Sequence, residues 1–200
     1  MALFPGGGLG PVQAALTVLA TAAMLRELLR KEHSLDRAAL TVFGAVFVGW
    51  PLGHLSLARE LSPNGEGLTL LLFAAVWATD SAAYAAGKLA GRSKLAEHLS
   101  PHKTWEGAAA GLLAALATAW MARRLFLSDI LSPAAAVAAG LLVGVVGQLS
   151  DLAQSLVKRA AGVKDSATLL PGHGGVFDRF DSFFLLAPLW YHLCLWVGAR

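Results

Sequence analysis

Six apolar stretches separated by short charged segments constrain what this sequence can fold into. The stretches cover about residues 11–29, 38–58, 68–89, 108–121 or 108–127, 134–157 and 180–197. A helix needs roughly 20 apolar residues to cross a bilayer. Because 56% of the residues are hydrophobic and only 14% are charged, against about 25% in soluble domains, we expect an all-α polytopic membrane protein with about six transmembrane helices.

The distribution of positive charge predicts how these helices are oriented. Of the 16 Lys and Arg residues, four lie at the end of or just after each of the first, third and fifth stretches. By the positive-inside rule, these charged ends face the cytoplasm and both termini lie outside. The same rule accounts for the net charge of +3 without binding of nucleic acid. Residues 1–10 have neither the basic region nor the cleavage site of a signal peptide, and are expected to be a lead-in.

Charge, glycine and histidine are concentrated in the segment from Ser155 to Ser182, between the fifth and sixth stretches. The segment combines cations, carboxylates and a Pro-Gly-His-Gly-Gly turn at residues 171–175. Its charged residues are Lys158, Arg159, Lys164, Arg179, Asp165, Asp178 and Asp181. This composition predicts a site for an ionic ligand.

Two further carboxylates fall within apolar stretches. Asp80 and Asp151 lie eight and seven residues before Lys88 and Lys158, or about 12 and 10 Å below the cytoplasmic end at 1.5 Å per residue. A carboxylate at membrane depth costs about 2.5 to 3.5 kcal/mol and needs a partner, a metal or a wet cavity. Carboxylates gathered at one depth favour Mg²⁺. Pairing of each acid with a nearby Lys or Arg is the alternative.

These residue types together fit phosphoryl or nucleotidyl transfer at the membrane surface. Acids would hold a metal, cations would bind phosphate oxygens, and backbone N–H groups of the glycine turn would approach an anion. The substrates would then be a cytosolic nucleotide and a lipid. Upstream, the Ser100-Pro101 pair is predicted to begin a helix, because Ser suits the N-cap and Pro the first turn.

Three motifs in this order resemble those of the phosphatidate cytidylyltransferases. The upstream motifs are Asp80-Ser81-Ala82-Ala83-Tyr84 with Gly87 and Gly91, and the run from Ser100 to Gly107. The third resembles the full family signature, and it comprises Ser155, Val157, Lys158, Arg159, Lys164, Asp165, Ala167, Leu170, Pro171, His173, Gly174, Gly175, Val176, Asp178, Arg179, Phe180 and Asp181. Together they cover about half of the chain.

The resemblance implies an all-helical membrane enzyme that makes CDP-diacylglycerol and pyrophosphate from CTP and phosphatidic acid, with Mg²⁺ as cofactor. A second cation and a homodimer are left open. The implied location is the bacterial inner membrane, with the polar site facing the cytoplasm. On this interpretation residues 1–200 form one integral membrane domain, in which residues 1–66 are N-terminal spans without a recognised motif and residues 67–200 are the catalytic core.

The resemblance also assigns roles to individual residues. Asp151 and Asp178 would bind the metal, and Asp80 would line the same cavity. Phosphates would be held by Lys158, Arg159, Lys164 and Arg179, and the nucleotide side would be closed by Ser100, Lys103, Thr104 and Glu106. His173 would act as an acid or base, or serve a structural role in the turn. The remaining predicted site residues are Asp165, Asp181, Tyr84, Ser155, Gly174 and Gly175.

Two other functions are compatible with parts of the pattern. CTP-dependent polyprenol or phytol kinases also combine a nucleotide with a membrane alcohol, although the complete signature favours the cytidylyltransferases. A small ion-coupled transporter would explain the buried acids Asp80 and Asp151. It would not explain why Lys and Arg lie beside a glycine-rich turn.

Overall fold

A computed structural model describes residues 10–61, 63–164, 166–167, 175 and 177–198 of the chain. These residues form helices joined by short connections and one small hairpin. The elements are α1 (Gly10–Leu28), α2 (Leu35–Arg59), α3 (Gly65–Ala90), β1 (Lys94–Ala96), β2 (Ser100–Thr104), α4 (Trp105–Leu125), α5 (Pro133–Leu142), a π-helical segment (Val143–Gly147), α6 (Gln148–Ala160), a 3₁₀ turn (Phe177–Arg179) and α7 (Phe183–Gly198).

Each predicted apolar stretch is helical, so the predicted helical architecture is confirmed. The fifth stretch is a continuous helix from Pro133 to Ala160, because α5, the π segment and α6 follow one another without a break. That helix, α2 and α3 are the three in the described part of the chain that are long and apolar enough to cross a membrane. Helix α7 is apolar but shorter. The count of six spans stays a prediction.

The segment between α3 and α4 differs from the prediction. Ser100 and Pro101 do not begin a helix; they lie in β2, which pairs antiparallel with β1. Helix α4 starts instead at Trp105, after Thr104, whose backbone is extended and whose hydroxyl accepts a hydrogen bond from the Gly107 N–H at 3.1 Å. Thr104 is thus a competing N-cap four residues downstream, and it leaves the preceding residues free to form the hairpin.

Close packing of helices sets the position of this hairpin. At Gly107 on α4, an added Cβ atom would lie 2.7 Å from the carbonyl oxygen of Ala83 on α3. At Gly140 on α5, it would lie 2.7 Å from the Cα atom of Leu116 on α4. Small residues allow such close approach between helices in membranes. Because α3 and α4 pack closely, the hairpin that joins them lies against the end of α3.

The core is built mainly from α3, α4, α5 and α7. Leu71, Leu72, Leu186 and Trp190 are fully buried or nearly so. Large apolar side chains also cover the outside of the helices: those at least 40% exposed include Leu70, Trp77, Leu113, Met121, Leu189 and Trp196. Soluble proteins seldom expose apolar surface on this scale. Together with the three long apolar helices, this surface is that of an integral membrane protein.

Candidate active site

A cavity of about 360 Å³ that contains several charged side chains lies where α3, the hairpin, α4 and α6 meet. Residues from all three motifs line it. They are Asp80, Ala83, Tyr84, Leu95, His102, Lys103, Thr104, Gly107, Ala108, Gln148, Asp151 and Asp181. Asp80, Asp151 and Asp181, which are far apart in sequence, therefore face the same cavity.

Lys103 and Asp151 form an ion pair across this cavity. The Lys103 Nζ atom lies 2.5 Å from Asp151 Oδ2, with side-chain exposures of 24% and 27%. The pair joins β2 to α6. It places one positive charge among three carboxylates, so the cavity carries an excess of negative charge.

Asp181 is held in this cavity by the start of α7. Its carboxylate accepts a hydrogen bond from the Ser182 N–H at 2.8 Å, and its carbonyl oxygen accepts one from the Ser150 hydroxyl at 2.5 Å. Burial, and then the negative charge of Asp151, raises the pKa of the Asp181 carboxyl. The cavity therefore destabilises its own negative charge, and a bound cation would relieve this repulsion.

The π segment Val143–Gly147 lies one turn before Asp151. The Gln148 side chain donates hydrogen bonds to the carbonyl oxygens of Gly144 at 2.5 Å and Ala108 at 3.1 Å. A π turn holds an extra residue and thereby changes the face on which later residues lie, and such turns are frequent at functional sites. Gln148 thus connects the wide turn to the beginning of α4 at the cavity wall.

Asp178 does not line the cavity; it is the centre of a neighbouring hydrogen-bond network. Its Oδ1 atom lies 2.8 Å from Lys158 Nζ and 3.3 Å from Gln154 Nε2. Its Oδ2 atom accepts hydrogen bonds from the Ser166 N–H at 2.9 Å, the Ser166 hydroxyl at 2.7 Å and the Gly175 N–H at 3.0 Å. Burial acts to raise the pKa of Asp178, but Lys158 and the other donors hold the pKa well below its usual range.

Two fully buried residues of α6 support the segment from Phe177 to Asp181. Ser150 also accepts a hydrogen bond from the Leu185 N–H at 3.1 Å, in the first turn of α7. Gln154 donates to the Phe177 carbonyl oxygen at 3.1 Å, while its own buried Oε1 atom has no hydrogen-bond partner among the described residues. Because Ser150 and Gln154 are one turn apart, a single face of α6 fixes both ends of this segment.

The donor set of the cavity fits Mg²⁺ held by one or two carboxylates, with water or substrate phosphates completing its shell. Among the described residues, no group of three or more His, Cys, Asp and Glu side chains is arranged to hold a metal ion. Mg²⁺ usually binds through one or two carboxylates and completes its shell with water and substrate phosphates. Asp151 would serve in this way, next to Asp80 and Asp181. Both predicted ligands, Asp151 and Asp178, are paired with a lysine in the structure.

Several of the other predicted site residues lie outside the cavity lining. Glu106 accepts hydrogen bonds from the Ser93 N–H at 3.2 and 3.3 Å, where it stabilises the start of the hairpin. Arg159 donates to the Val163 carbonyl oxygen at 3.3 Å. Ser100 is in β2, Ser155 is half-buried on α6, Lys164 is exposed after α6, and Arg179 ends the 3₁₀ turn. Asp165, His173 and Gly174 lie outside the described residues.

Four residues at or beside the cavity were not predicted as site residues from the sequence: His102, Gln148, Ser150 and Gln154. His102 adjoins Lys103, and Gln148 precedes Asp151 by three residues, a spacing that puts both on one helical face. These spacings were available signals. Ser150 and Gln154 were harder to predict from the sequence. Polar residues on an apolar helix stand out, but their role becomes clear only from their hydrogen-bond partners in the structure.

Comparison with known proteins assigns the chain to a family. The model of the "Cytidylyltransferase family" matches residues 6–197. A phosphatidate cytidylyltransferase of Brucella suis is 43% identical over 150 residues, which are 74% of this chain and 54% of that protein. The phosphatidate cytidylyltransferase of Bacillus subtilis is 35% identical over 193 residues, which are 95% of this chain and 70% of that protein. The phosphatidate cytidylyltransferase of Synechocystis sp. is 44% identical over 137 residues, which are 66% of this chain and 45% of that protein.

The family match covers all the elements that line the cavity, since it runs from residue 6 to residue 197. The matched region spans about half of the Brucella suis protein. Because the family match extends over nearly the whole sequence, this chain belongs to the cytidylyltransferase family.

Proposed function

We propose that this chain transfers a cytidylyl group from CTP to phosphatidic acid, giving CDP-diacylglycerol and pyrophosphate. The observation that carries the proposal is the cavity in which Lys103 meets Asp151, with Asp80 and Asp181 alongside. Its walls come from the three segments whose motifs resemble the phosphatidate cytidylyltransferases. The Bacillus subtilis relative with that name matches over 95% of this chain.

In this reaction a phosphate oxygen of phosphatidic acid attacks the α-phosphorus of CTP. A new P–O bond forms, the bond between the α-phosphorus and the bridging oxygen breaks, and pyrophosphate leaves with the electron pair. Such a transfer needs the attacking oxygen held in line and the developing charge neutralised. Lys103 is the cavity-lining ammonium group that is positioned to contact phosphate oxygens. Lys158, Arg159, Lys164 and Arg179 lie in or beside the segment after α6 and would attract the same anions.

Mg²⁺ is the proposed cofactor, with Asp151 as its ligand in the cavity and Asp178 as the second predicted ligand. When bound, the ion would neutralise negative charge on the triphosphate. For Asp178 to take part, its carboxylate would have to exchange Lys158 and the Ser166 and Gly175 donors for the metal. Asp80 and Asp181 would add negative potential that favours a divalent cation. A second cation remains part of this proposal.

We also propose six membrane spans, a cytoplasmic site and outward termini, in a bacterial inner membrane. The connection after α3 and the connection before α7 meet at one cavity, since Lys103 and Asp181 both line it, which agrees with their assignment to one side of the membrane. CTP would reach the site from the cytoplasm, and phosphatidic acid from the bilayer. Whether two copies associate stays a prediction.

Position-specific labelling of CTP tests the reaction class. Purified protein in detergent would receive phosphatidic acid, Mg²⁺ and CTP labelled with ³²P at either the α or the γ phosphate. The proposal predicts that the α label enters the lipid fraction and that the γ label leaves as pyrophosphate. In a parallel reaction with a polyprenol or phytol in place of phosphatidic acid, transfer of the γ label to the alcohol would instead identify a lipid kinase. No transfer of either label would leave the transporter as the better account.

A further inference from the structure

The carboxylate proposed to bind metal already has a cation. Lys103 Nζ lies 2.5 Å from Asp151 Oδ2, and both side chains are about a quarter exposed. An ammonium group and a metal ion compete for the negative charge of one carboxylate, because the two cations repel each other at such short range. As long as Lys103 remains in this position, a metal ion at Asp151 must either displace it or bind less tightly.

The surrounding charges favour replacement of Lys103 by an ion of higher charge. Asp80 and Asp181 line the same cavity, and neither forms an ion pair within the part of the chain that the structure describes. Three carboxylates thus line the cavity, and Lys103 is the ammonium group that lines it with them. A divalent cation would neutralise more of this negative charge than Lys103 does, since the attraction scales with the charge of the ion.

Lys103 is well suited to move away from Asp151. It projects from β2 of a two-stranded hairpin whose register is irregular between Lys94 and Ala96. A lysine carries its charge on a four-carbon chain with free rotation, and its ammonium group binds phosphate as a point charge. A small rotation of this chain would turn the ammonium group from Asp151 towards other atoms in the same cavity.

We infer that Lys103 is an exchangeable counter-ion of Asp151, which it neutralises before the metal arrives and releases when a divalent cation binds. The released ammonium group then contacts phosphate oxygens of the nucleotide in the same cavity. Metal binding and phosphate binding are thereby coupled through one side chain. The inference rests on the proposed function only in taking Asp151 as a metal ligand, and its first half needs no nucleotide.

Binding of Mn²⁺ to the purified full chain, followed by the electron paramagnetic resonance signal of free Mn²⁺, tests this exchange. The measurement is made in detergent, without nucleotide or lipid, at constant ionic strength. Replacement of Lys103 by Met removes the competing charge but keeps an unbranched side chain. We expect Lys103→Met to bind Mn²⁺ about three- to tenfold more tightly than wild type, as for the loss of one partly buried ion pair.

Two variants separate exchange at Asp151 from a general effect of charge. Lys94→Met removes a positive charge from the same hairpin, but Lys94 contacts the carbonyl oxygen of Pro101 at 2.7 Å and not an acid. Lys103→Arg keeps the charge at the pair. Both are expected to bind Mn²⁺ within about twofold of wild type, since neither removes the competitor. Lys103→Gln provides a second neutral variant if Lys103→Met is misfolded in size-exclusion chromatography.

The results distinguish this inference from the proposed function. Tighter Mn²⁺ binding in both neutral Lys103 variants, with no change in Lys94→Met, supports the exchange. Equal Mn²⁺ affinity in wild type and in the neutral variants overturns it, as does the absence of Mn²⁺ binding in all of them. An equal gain in Lys94→Met also overturns it, because the effect would then be long-range. Formation of CDP-lipid does not enter the measurement, so the proposed reaction can fail while the exchange holds, or the reverse.

Discussion

At the scale of single residues, the two acids predicted to bind metal have different surroundings. Asp151 lies in the cavity and contacts Lys103. Asp178 is 13% exposed and accepts hydrogen bonds from α6, Ser166 and Gly175. Asp178 therefore joins α6 to the segment before α7, and its loss should affect stability as well as activity.

Replacement of Asp178 by Asn tests this structural contribution. The amide cannot accept as many hydrogen bonds and leaves Lys158 without its partner, which should cost about 2 kcal/mol. Thermal unfolding in detergent should show a lower midpoint for Asp178→Asn. Asp129→Asn, at an exposed position whose neighbour is Ser128, should unfold like wild type. If both variants unfold like wild type, the Asp178 network contributes little to stability.

The difference in stability between wild type and Asp178→Asn should depend on pH, because the pKa of Asp178 is lowered in the folded protein. A carboxyl group whose pKa is lowered by folding stabilises the folded state above its unfolded pKa, and this stabilisation is lost as the pH falls through the folded value. The gap between wild type and Asp178→Asn should thus be constant from about pH 8 to pH 5 and shrink only below about pH 4. A gap that disappears near neutral pH would contradict the assignment.

At the scale of elements, α6 positions the segment that leads into α7. Ser150 is fully buried and bonds both to the Asp181 carbonyl oxygen and to the Leu185 N–H. Ser150→Ala should lose about 1 to 2 kcal/mol and speed hydrogen exchange in peptides from the first turn of α7. Ser128→Ala, at an exposed residue, is the control. Unchanged exchange at Leu185 would show that α7 begins without help from Ser150.

Contact between α4 and α5 depends on glycine at the crossing point. A Cβ atom at Gly140 would approach the Leu116 backbone to 2.7 Å, whereas one at Gly49 on α2 would meet nothing within 4 Å. Gly140→Ala should destabilise the protein by about 1 to 3 kcal/mol through overpacking. Gly49→Ala should be neutral or slightly stabilising, because Ala favours the helix. Equal thermal midpoints for the two variants would argue against the close crossing.

Sequence patterns predicted these elements better than their connections. The apolar stretches were enough to locate the helices, because each helix must be apolar over its length to enter a bilayer. The hairpin was missed because Ser100-Pro101 and Thr104 both carry capping signals, and only packing against α3 decides between them. The π segment was missed because Val143–Gly147 has no composition that distinguishes it from an α-helix.

The candidate site could be predicted in part for similar reasons. The numbers of residues between Asp80 and Asp151 and the cytoplasmic ends of their helices predicted that the two acids lie at a similar depth in the membrane. Both acids line the cavity. The partners of the acids could not be predicted, because a sequence does not tell which lysine reaches which carboxylate. Pairing with Lys and Arg was the alternative to a metal, and the structure contains such pairs at Asp151 and Asp178.

At the scale of the whole molecule, the charge distribution predicts sidedness that labelling can test. Single cysteines would be placed at Glu97 in the hairpin and at Asp129 between α4 and α5, in a chain with Cys194→Ser. With a membrane-impermeant maleimide on intact cells, Asp129→Cys should be labelled and Glu97→Cys only after permeabilisation. The reverse pattern would invert the topology. Labelling of both residues on intact cells would contradict alternation of the spans.

The central claim is that cytidylyl transfer takes place in the cavity around Asp151. The most direct measurement is the initial rate of CDP-diacylglycerol formation from α-labelled CTP and phosphatidic acid, compared among wild type, Asp151→Asn and Asp129→Asn. Loss of a carboxylate that positions and neutralises the phosphates should lower the rate by at least about 100-fold, while Asp129→Asn should match wild type. A wild-type chain that forms no CDP-diacylglycerol, or an Asp151→Asn variant as active as wild type, would contradict the account.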